Sequence, residues 1–535
     1  MRPLSLSVVS VVAACSVAGC SVRPRASQAP APATAPSPAA AATPAPAAPA
    51  GPAGVATAAS TVPQLDVGVR AEPAAIAAIV REGTDRSHAE ADLRYLSDVI
   101  GPRLTGSAAM QRANDWTANK FREYGADSAW IEPWKFGRAW ERGPMTLTML
   151  APHRQQLAGV SWAWAPGTNG PVAGDVVYMD ATTAEDFAAR FAGKLAGKWV
   201  MTSPPSLVLN PDGPKLSPAD SVAHADSVRA FYRAASSPNE QAFTASLPAT
   251  LAAEKIAGFV RDGAKEFGLL TMSGSPARLM PYPYVVVPHE TYALFHRLLA
   301  ARQPVRIEAN IVNTLTRDSV TVYNTVAEIR GSERPDEVVL LGAHLDSWDI
   351  ANGTTDNGTG SIAVLEAARI LRASGVKPRR TIRFVLFSGE EQGLYGSNRY
   401  AAAHAPELDK FQAVLVLDNG TGRITGMALQ KRDELGDAWR ALFAPLADEL
   451  GPFAVRSGEK GGTDHLSFLK YGVPGFNFDQ LSRGYDHTHH SQVDTFDHAV
   501  IGDVRQAATV MAATAYELAD LPALLPRNPA AQTAR

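Results

Sequence analysis

The chain is poor in cysteine. Its 535 residues include two, Cys15 and Cys20. Both lie near the start, so no disulfide framework can staple a folded body. Long apolar runs are also missing. Beyond residue 20, no stretch is long and apolar enough to be a transmembrane helix. Charge of one sign is lacking too. The net charge is −3 and there is no basic tract, which removes the electrostatic case for nucleic acid as a partner. No internal repeat is visible. What is present, 46% hydrophobic and 19% charged residues, suits two or three globular domains, or one large domain with an insertion.

Residues 1–20 begin with Met1-Arg2-Pro3 and continue through a short apolar stretch to Val17-Ala18-Gly19-Cys20. The stretch is too short to span a bilayer and has the form of a signal-peptide core. Its end resembles the lipobox of bacterial lipoproteins. That resemblance implies that Cys15 is discarded and Cys20 acylated. The chain would then be exported and anchored to a bacterial membrane, facing the periplasm or cell surface. Residues 21–65 are mostly Ala, Pro, Thr, Ser and Gly and read as a disordered tether. A disordered tail is expected at 523–535.

Folded sequence divides into three stretches. The first, 66–145, carries helix patterns at 74–81, 88–98 and 109–124 and a strand at 129–136. The second, 146–310, has strand candidates at 175–178, 198–201 and 284–287, and helix candidates at 255–267 and 290–300. The third, 311–522, alternates regularly. Strands are expected at 320–330, 337–341, 381–387, 413–417 and 475–478. Helices are expected at 360–373, 396–403, 435–449 and 501–518. Alternating strands and helices predict an α/β fold: a three-layer sandwich with a mostly parallel, mixed central sheet.

Chemistry gathers where these strands end. In open α/β sheets, ligands collect outside the carboxyl ends of the strands. His344 and Asp346 follow one strand, Glu390 and Glu391 a second, and Asp418 a third. His490 lies in a loop beyond a fourth, and Asp356 in a polar loop before a helix. Imidazole and carboxylate suit Zn²⁺. Two zinc ions need a bridging carboxylate and about two further ligands each, so five of the seven residues suffice. One spare should act as the base, and Glu390 adjoins a ligand while pointing differently from it. The other spare, Asp346, is placed to accept the remaining N–H of His344.

The motifs Gly342-Ala343-His344-Leu345-Asp346-Ser347, Asp356-Asn357-Gly358, Ser388-Gly389-Glu390-Glu391-Gln392-Gly393 and His489-His490-Ser491-Gln492-Val493-Asp494-Thr495 resemble those of the co-catalytic di-zinc exopeptidases. That family includes leucyl aminopeptidases and glutamate carboxypeptidases, and the motifs resemble its plasma glutamate carboxypeptidase branch. The resemblance covers roughly 75–140 and 310–520. It implies two zinc ions per chain, one held by His344 and Asp418 and the other by Glu391 and His490, with Asp356 bridging. Glu390 would be the general base for the attacking water. The peptide bond after Asp356 is often cis in this family. Where some members carry an oxyanion-binding tyrosine this chain has His489, and Tyr485 competes for that role. The stretch 146–310 resembles an inserted, β-rich protease-associated domain.

The expected activity is hydrolysis of peptide bonds near a chain terminus, with an aminopeptidase first and a dipeptidase or carboxypeptidase as alternatives. A free carboxylate would need a positioned cation, and Lys460 and Arg483 are the candidates. Expected partners are a peptide or dipeptide and, through the lipid, a membrane; a homodimer stays open. A non-catalytic, receptor-like binding protein and a single-zinc aminoacyl cyclase on the same fold are remoter readings. Asp464-His465 is read either as pocket lining or as a structural turn. Trp130, Trp134 and Trp348 are expected in the core or at an interface.

Overall fold

Val338–Leu341 and Phe384–Phe387 are continuous apolar runs because both of their faces are covered. In a strand, successive side chains point to opposite faces. Val339, Leu341, Ala343, Ile382, Phe384 and Leu386 enter one hydrophobic cluster. Val338, Leu340, Val385 and Phe387 enter another. Helices Thr359–Ala373 and Ile501–Asp520 cover the first face, and helix Tyr395–Ala403 contributes to the second. Layers of helix, sheet and helix follow from this two-sided burial. Each fully buried aliphatic side chain contributes about 1.5–3 kcal/mol.

The computed structural model describes Gly68, 71–206 and 237–527, and these belong to one compact unit, Ser60–Arg535. The expected leader with Cys15 and Cys20, the tether, and the tail from residue 528 lie outside the described residues. No described helix is long and apolar enough to cross a membrane.

The sheet is mixed. Strands Arg380–Phe387, Arg334–His344, Phe411–Val416 and Gly475–Gln480 are parallel neighbours in that order. Ile424–Ala428 extends one edge in antiparallel sense. On the other side, Arg380–Phe387 pairs antiparallel with Arg306–Ile329. That strand is 24 residues long. It pairs along most of its length with Ser128–Ala151, also 24 residues, through four register shifts. The two form a ribbon that leaves the central sheet, and near its far end Arg306–Ile329 pairs with Val172–Tyr178. From there Trp199–Met201, Gly258–Asp262 and Tyr284–Val287 follow in parallel. Helices His289–Ala300 and Pro238–Ala253 pack on these strands, each within its own hydrophobic cluster.

Two expectations are corrected. Residues 255–267 are not a helix; Gly258–Asp262 is a strand between two parallel neighbours. Its Gly258 lies against the Trp199 ring, where a Cβ would stand 2.3 Å from a ring carbon. Residues 435–449 are not one helix either. The helix Gly436–Phe443 gives way to a tight turn, Ala444–Leu446, containing Pro445, and proline cannot continue a helical ladder.

Candidate metal centre

The parallel strands deliver their carboxyl ends to one place. His344 is the last residue of its strand, and Glu390, Glu391 and Asp418 follow theirs within a few residues. Asp356 comes from the loop before helix Thr359–Ala373, where the Asp356–Asn357 bond is cis.

His344 is buried. Its Nε2 lies 3.2 Å from Asp418 Oδ1 and 3.4 Å from Asp356 Oδ1. The other oxygen of Asp356 faces away from this group, with Oδ2 3.6 Å from His490 Nε2. His490 Nε2 is in turn 2.8 Å from Glu391 Oε2. Asp356 therefore stands between two donor groups, one oxygen toward each. His489 joins the second group: its ring stacks on His490 at 3.8 Å, and its Nε2 is 4.0 Å from Asp356 Oδ2. His490 has left-handed backbone, φ 56°, and the two successive imidazoles lie on the same side. The donor atoms of His344, Asp356 and Asp418 are close enough together to hold one ion, and those of Asp356, His489 and His490 to hold another.

The electrostatics call for cations. Burial raises Glu390 and Glu391 well above the usual carboxylate range; for Glu391 the neighbouring Asp356 adds to this, and for Glu390 Asp418 and Asp464 do. Burial alone would lower His344, but Asp418 and Glu390 outweigh it and hold the imidazole charged. Burial, then the adjoining His490 and to a smaller extent Lys265, lowers His489 to about 4; burial and Lys265 lower His490 as well, leaving both rings neutral at pH 7. Asp356 Oδ2 and Glu391 Oε1 are buried with no hydrogen-bond partner. Unpaired buried carboxylate oxygens are costly unless a cation meets them. Without cations the crowded carboxylates hold protons on Glu391 and His344; two zinc ions would displace those protons, leaving the deprotonated carboxylate and neutral imidazole that zinc binds, and the donor set fits them.

Supporting residues fix this geometry. His344 Nδ1 is 2.9 Å from the Asp346 carbonyl and 3.6 Å from its carboxylate. The backbone, rather than the carboxylate, is therefore its nearer partner. The Asp346 side chain accepts instead from Thr105 Oγ1 at 2.9 Å and from the Glu390 amide at 3.2 Å. Asp494 accepts from the amides of Thr355 and Asp356 at 2.6 and 3.0 Å. Arg103 is fully buried and donates to the carbonyls of Gly101, Leu345, Asn352 and Gly353. Burial brings its pKa down to about 10, which leaves it charged at neutral pH.

The remaining candidates sort as follows. Tyr485 is held well above its usual pKa by burial and then by Asp356. Asp464 is buried with both carboxylate oxygens unpartnered, and burial pushes it to about 7. His465 bonds to Gln430 and to the Lys460 carbonyl, which is a structural role. Lys460 is committed to Asp479 and the Phe478 carbonyl, and Arg483 to Asp503. Trp134 and Trp348 are buried, and Trp348 packs edge-on to His490 at the mouth of the cleft. Arg103 was not singled out from the sequence, and Asp494 entered only as part of the motif that ends in Asp494-Thr495, with no role given to it. The only signal for Arg103 was its place in the glycine- and proline-bounded loop Gly101-Pro102-Arg103.

Fold and site together define a metal-dependent hydrolase with two adjoining cation positions at the carboxyl edge of an α/β sheet. Residues 324–515 match Peptidase family M28. Carboxypeptidase Q of Mus musculus is 28% identical over 440 residues, covering 82% of this chain and 86% of that protein. The Homo sapiens protein of the same name is 28% identical over 441 residues, with the same coverage. A solved structure titled Peptidase M28 precursor, from Shewanella amazonensis, superposes with a TM-score of 0.70 at 26% identity and covers 85% of this chain and 99% of its own. A zinc aminopeptidase from Bacillus subtilis shares the fold, with a TM-score of 0.57, 20% identity and coverage of 80% and 94%. These matches make the chain similar to the co-catalytic zinc exopeptidases of family M28, and two zinc ions are the cofactor that its donor set fits.

Proposed function

We propose that the chain is an aminopeptidase in which Glu390 is the general base. His344 and Asp418 would hold one zinc, Glu391 and His490 the other, and Asp356 both. The observation that carries the reading is the division of Asp356, with Oδ1 toward His344 and Oδ2 toward His490. Zinc ions bound there would supply acidification of a water and polarisation of the scissile carbonyl. Glu390 takes the proton of the attacking water and returns it to the leaving amine, worth about 10²–10⁴-fold. Its raised proton affinity, caused first by burial, suits that exchange. Asp346 holds the Glu390 amide and so orients the turn that carries the base. His489 and Tyr485 are the candidate donors to the developing oxyanion.

The amino-terminal preference rests on what the nearby cations do. Among the described residues, Lys460, Arg483, Arg103 and Lys265 are all engaged by carboxylates or carbonyls. None is left to read a free substrate carboxylate. The buried acids, by contrast, suit an α-ammonium. The name of the carboxypeptidase Q relatives favours a second reading, a carboxypeptidase or dipeptidase. A panel of dipeptides and longer peptides with free and blocked termini separates the two. Blocking the amine should abolish turnover and blocking the carboxylate should not; the reverse pattern would sink the aminopeptidase reading.

Residues 146–310 are proposed as an inserted protease-associated-like domain within a peptidase domain formed by 66–145 and 311–522. Cys20 is proposed as a lipid anchor, tested by whether Cys20→Ser moves the protein out of the membrane fraction.

A further inference from the structure

The loop carrying His489 and His490 is held from another part of the fold. Segment 263–272 follows strand Gly258–Asp262, which the far end of the ribbon supports. Lys265 Nζ donates to the carbonyls of Asp486 at 2.7 Å, His487 at 3.3 Å and His489 at 2.6 Å. An ammonium has three donors and no acceptor, so this one is fully committed to the loop backbone. Gln492 ties in the same segment. Its Oε1 accepts from the Leu270 amide at 2.7 Å, and its Nε2 donates to the Gly268 carbonyl at 3.2 Å. The Met272 amide donates to the His490 carbonyl at 2.9 Å, and Thr271 pairs with Ser491 as an antiparallel bridge. Between these ties His490 holds left-handed backbone, φ 56°. A non-glycine residue stays there only when its surroundings over-determine it.

We propose that Lys265 is a positioning residue for the metal centre. By gripping the carbonyls of Asp486, His487 and His489 it presets the His490 ring, and so sets the affinity of the zinc position shared by His490 and Glu391. The position of His344 and Asp418 has no direct tie to Lys265 and meets the other position only through the shared Asp356. Those two residues sit at strand ends in the central sheet, and the partners of His344 are Asp346, Ser361, Asp356 and Asp418. The inference rests on the ligand assignment proposed above. It gives the stretch between the two long strands a part in metal binding.

The test is zinc titration of the full chain, wild type and Lys265→Met, against a graded chelator, with thermal melting of both zinc-free forms. Wild type should hold two zinc ions. Lys265→Met should keep one at wild-type affinity and bind the other roughly 10–100-fold more weakly, the usual effect of losing a group that orients a ligand. Excess zinc should restore its turnover, and its zinc-free melting temperature should match wild type. Two wild-type affinities in Lys265→Met, or an equal loss at both positions, overturn the proposal. So does an unchanged metal count with a lowered zinc-free melting temperature, which is the mark of a merely structural lysine. If Lys265→Met does not fold, Lys265→Gln, which retains a donor, should show a smaller loss confined to the same ion; unchanged affinities there overturn the proposal equally. A wild type holding fewer than two zinc ions would instead overturn the ligand assignment itself.

Discussion

Glu390 and Glu391 are neighbours in sequence with divided surroundings. Glu391 meets His490 at 2.8 Å, while Glu390 has its amide tied to Asp346. Glu390→Gln keeps the shape and removes the exchangeable proton. It should retain two zinc ions and lose about 10²–10⁴-fold in kcat. Metal analysis together with steady-state kinetics checks this, and a variant keeping more than about a tenth of wild-type turnover contradicts the role of Glu390. Most of the cluster was legible because residues of metal-binding type followed apolar strands in a recognisable order. The roles of Arg103 and Asp494 were not. Arg103 matters through carbonyls as distant in sequence as Gly353, and Asp494 through the amides of Thr355 and Asp356. Such backbone partners leave no trace in local spacing.

At the scale of elements, the buried parallel strands and most helices were readable from pattern, whereas the two 24-residue strands were seen only in part, as 129–136 and 320–330. Residues 255–267 were not readable, because a short strand buried between two parallel neighbours shows no clean alternation. Helix Ile501–Asp520 raises a different matter. Its Glu517 is buried with neither carboxylate oxygen partnered, and burial pushes its pKa up from 4.5 to about 9. The folded chain keeps this proton while the unfolded chain releases it above about 4.3. The stability this group contributes is therefore complete below that value and lost as pH rises toward about 9. Glu517→Gln should melt higher than wild type by a margin that widens from about pH 5 to about pH 8. Thermal melts across that range decide it, and a constant difference would refute it.

At the scale of the whole molecule, metal binding should add to folding stability. Zinc ions that bind only the native state stabilise it by about 2.7 kcal/mol each at a free concentration 100-fold above Kd. Chelation should therefore lower the melting temperature and abolish turnover, and added zinc should restore both. Calorimetry with and without chelator tests this; a melting temperature indifferent to zinc would count against sites formed on folding.

The ribbon of Ser128–Ala151 and Arg306–Ile329 gives this coupling a genetic consequence. Side chains alternate along a strand with period two, so a one-residue insertion or deletion turns every later side chain to the opposite face. The ribbon supports the strands from which the Lys265 segment departs. Insertion or deletion of a single codon in either strand, far from any ligand in sequence, would therefore act as an edit of the metal centre. Drift in the length of this ribbon should be far less tolerated than drift in the loops it connects.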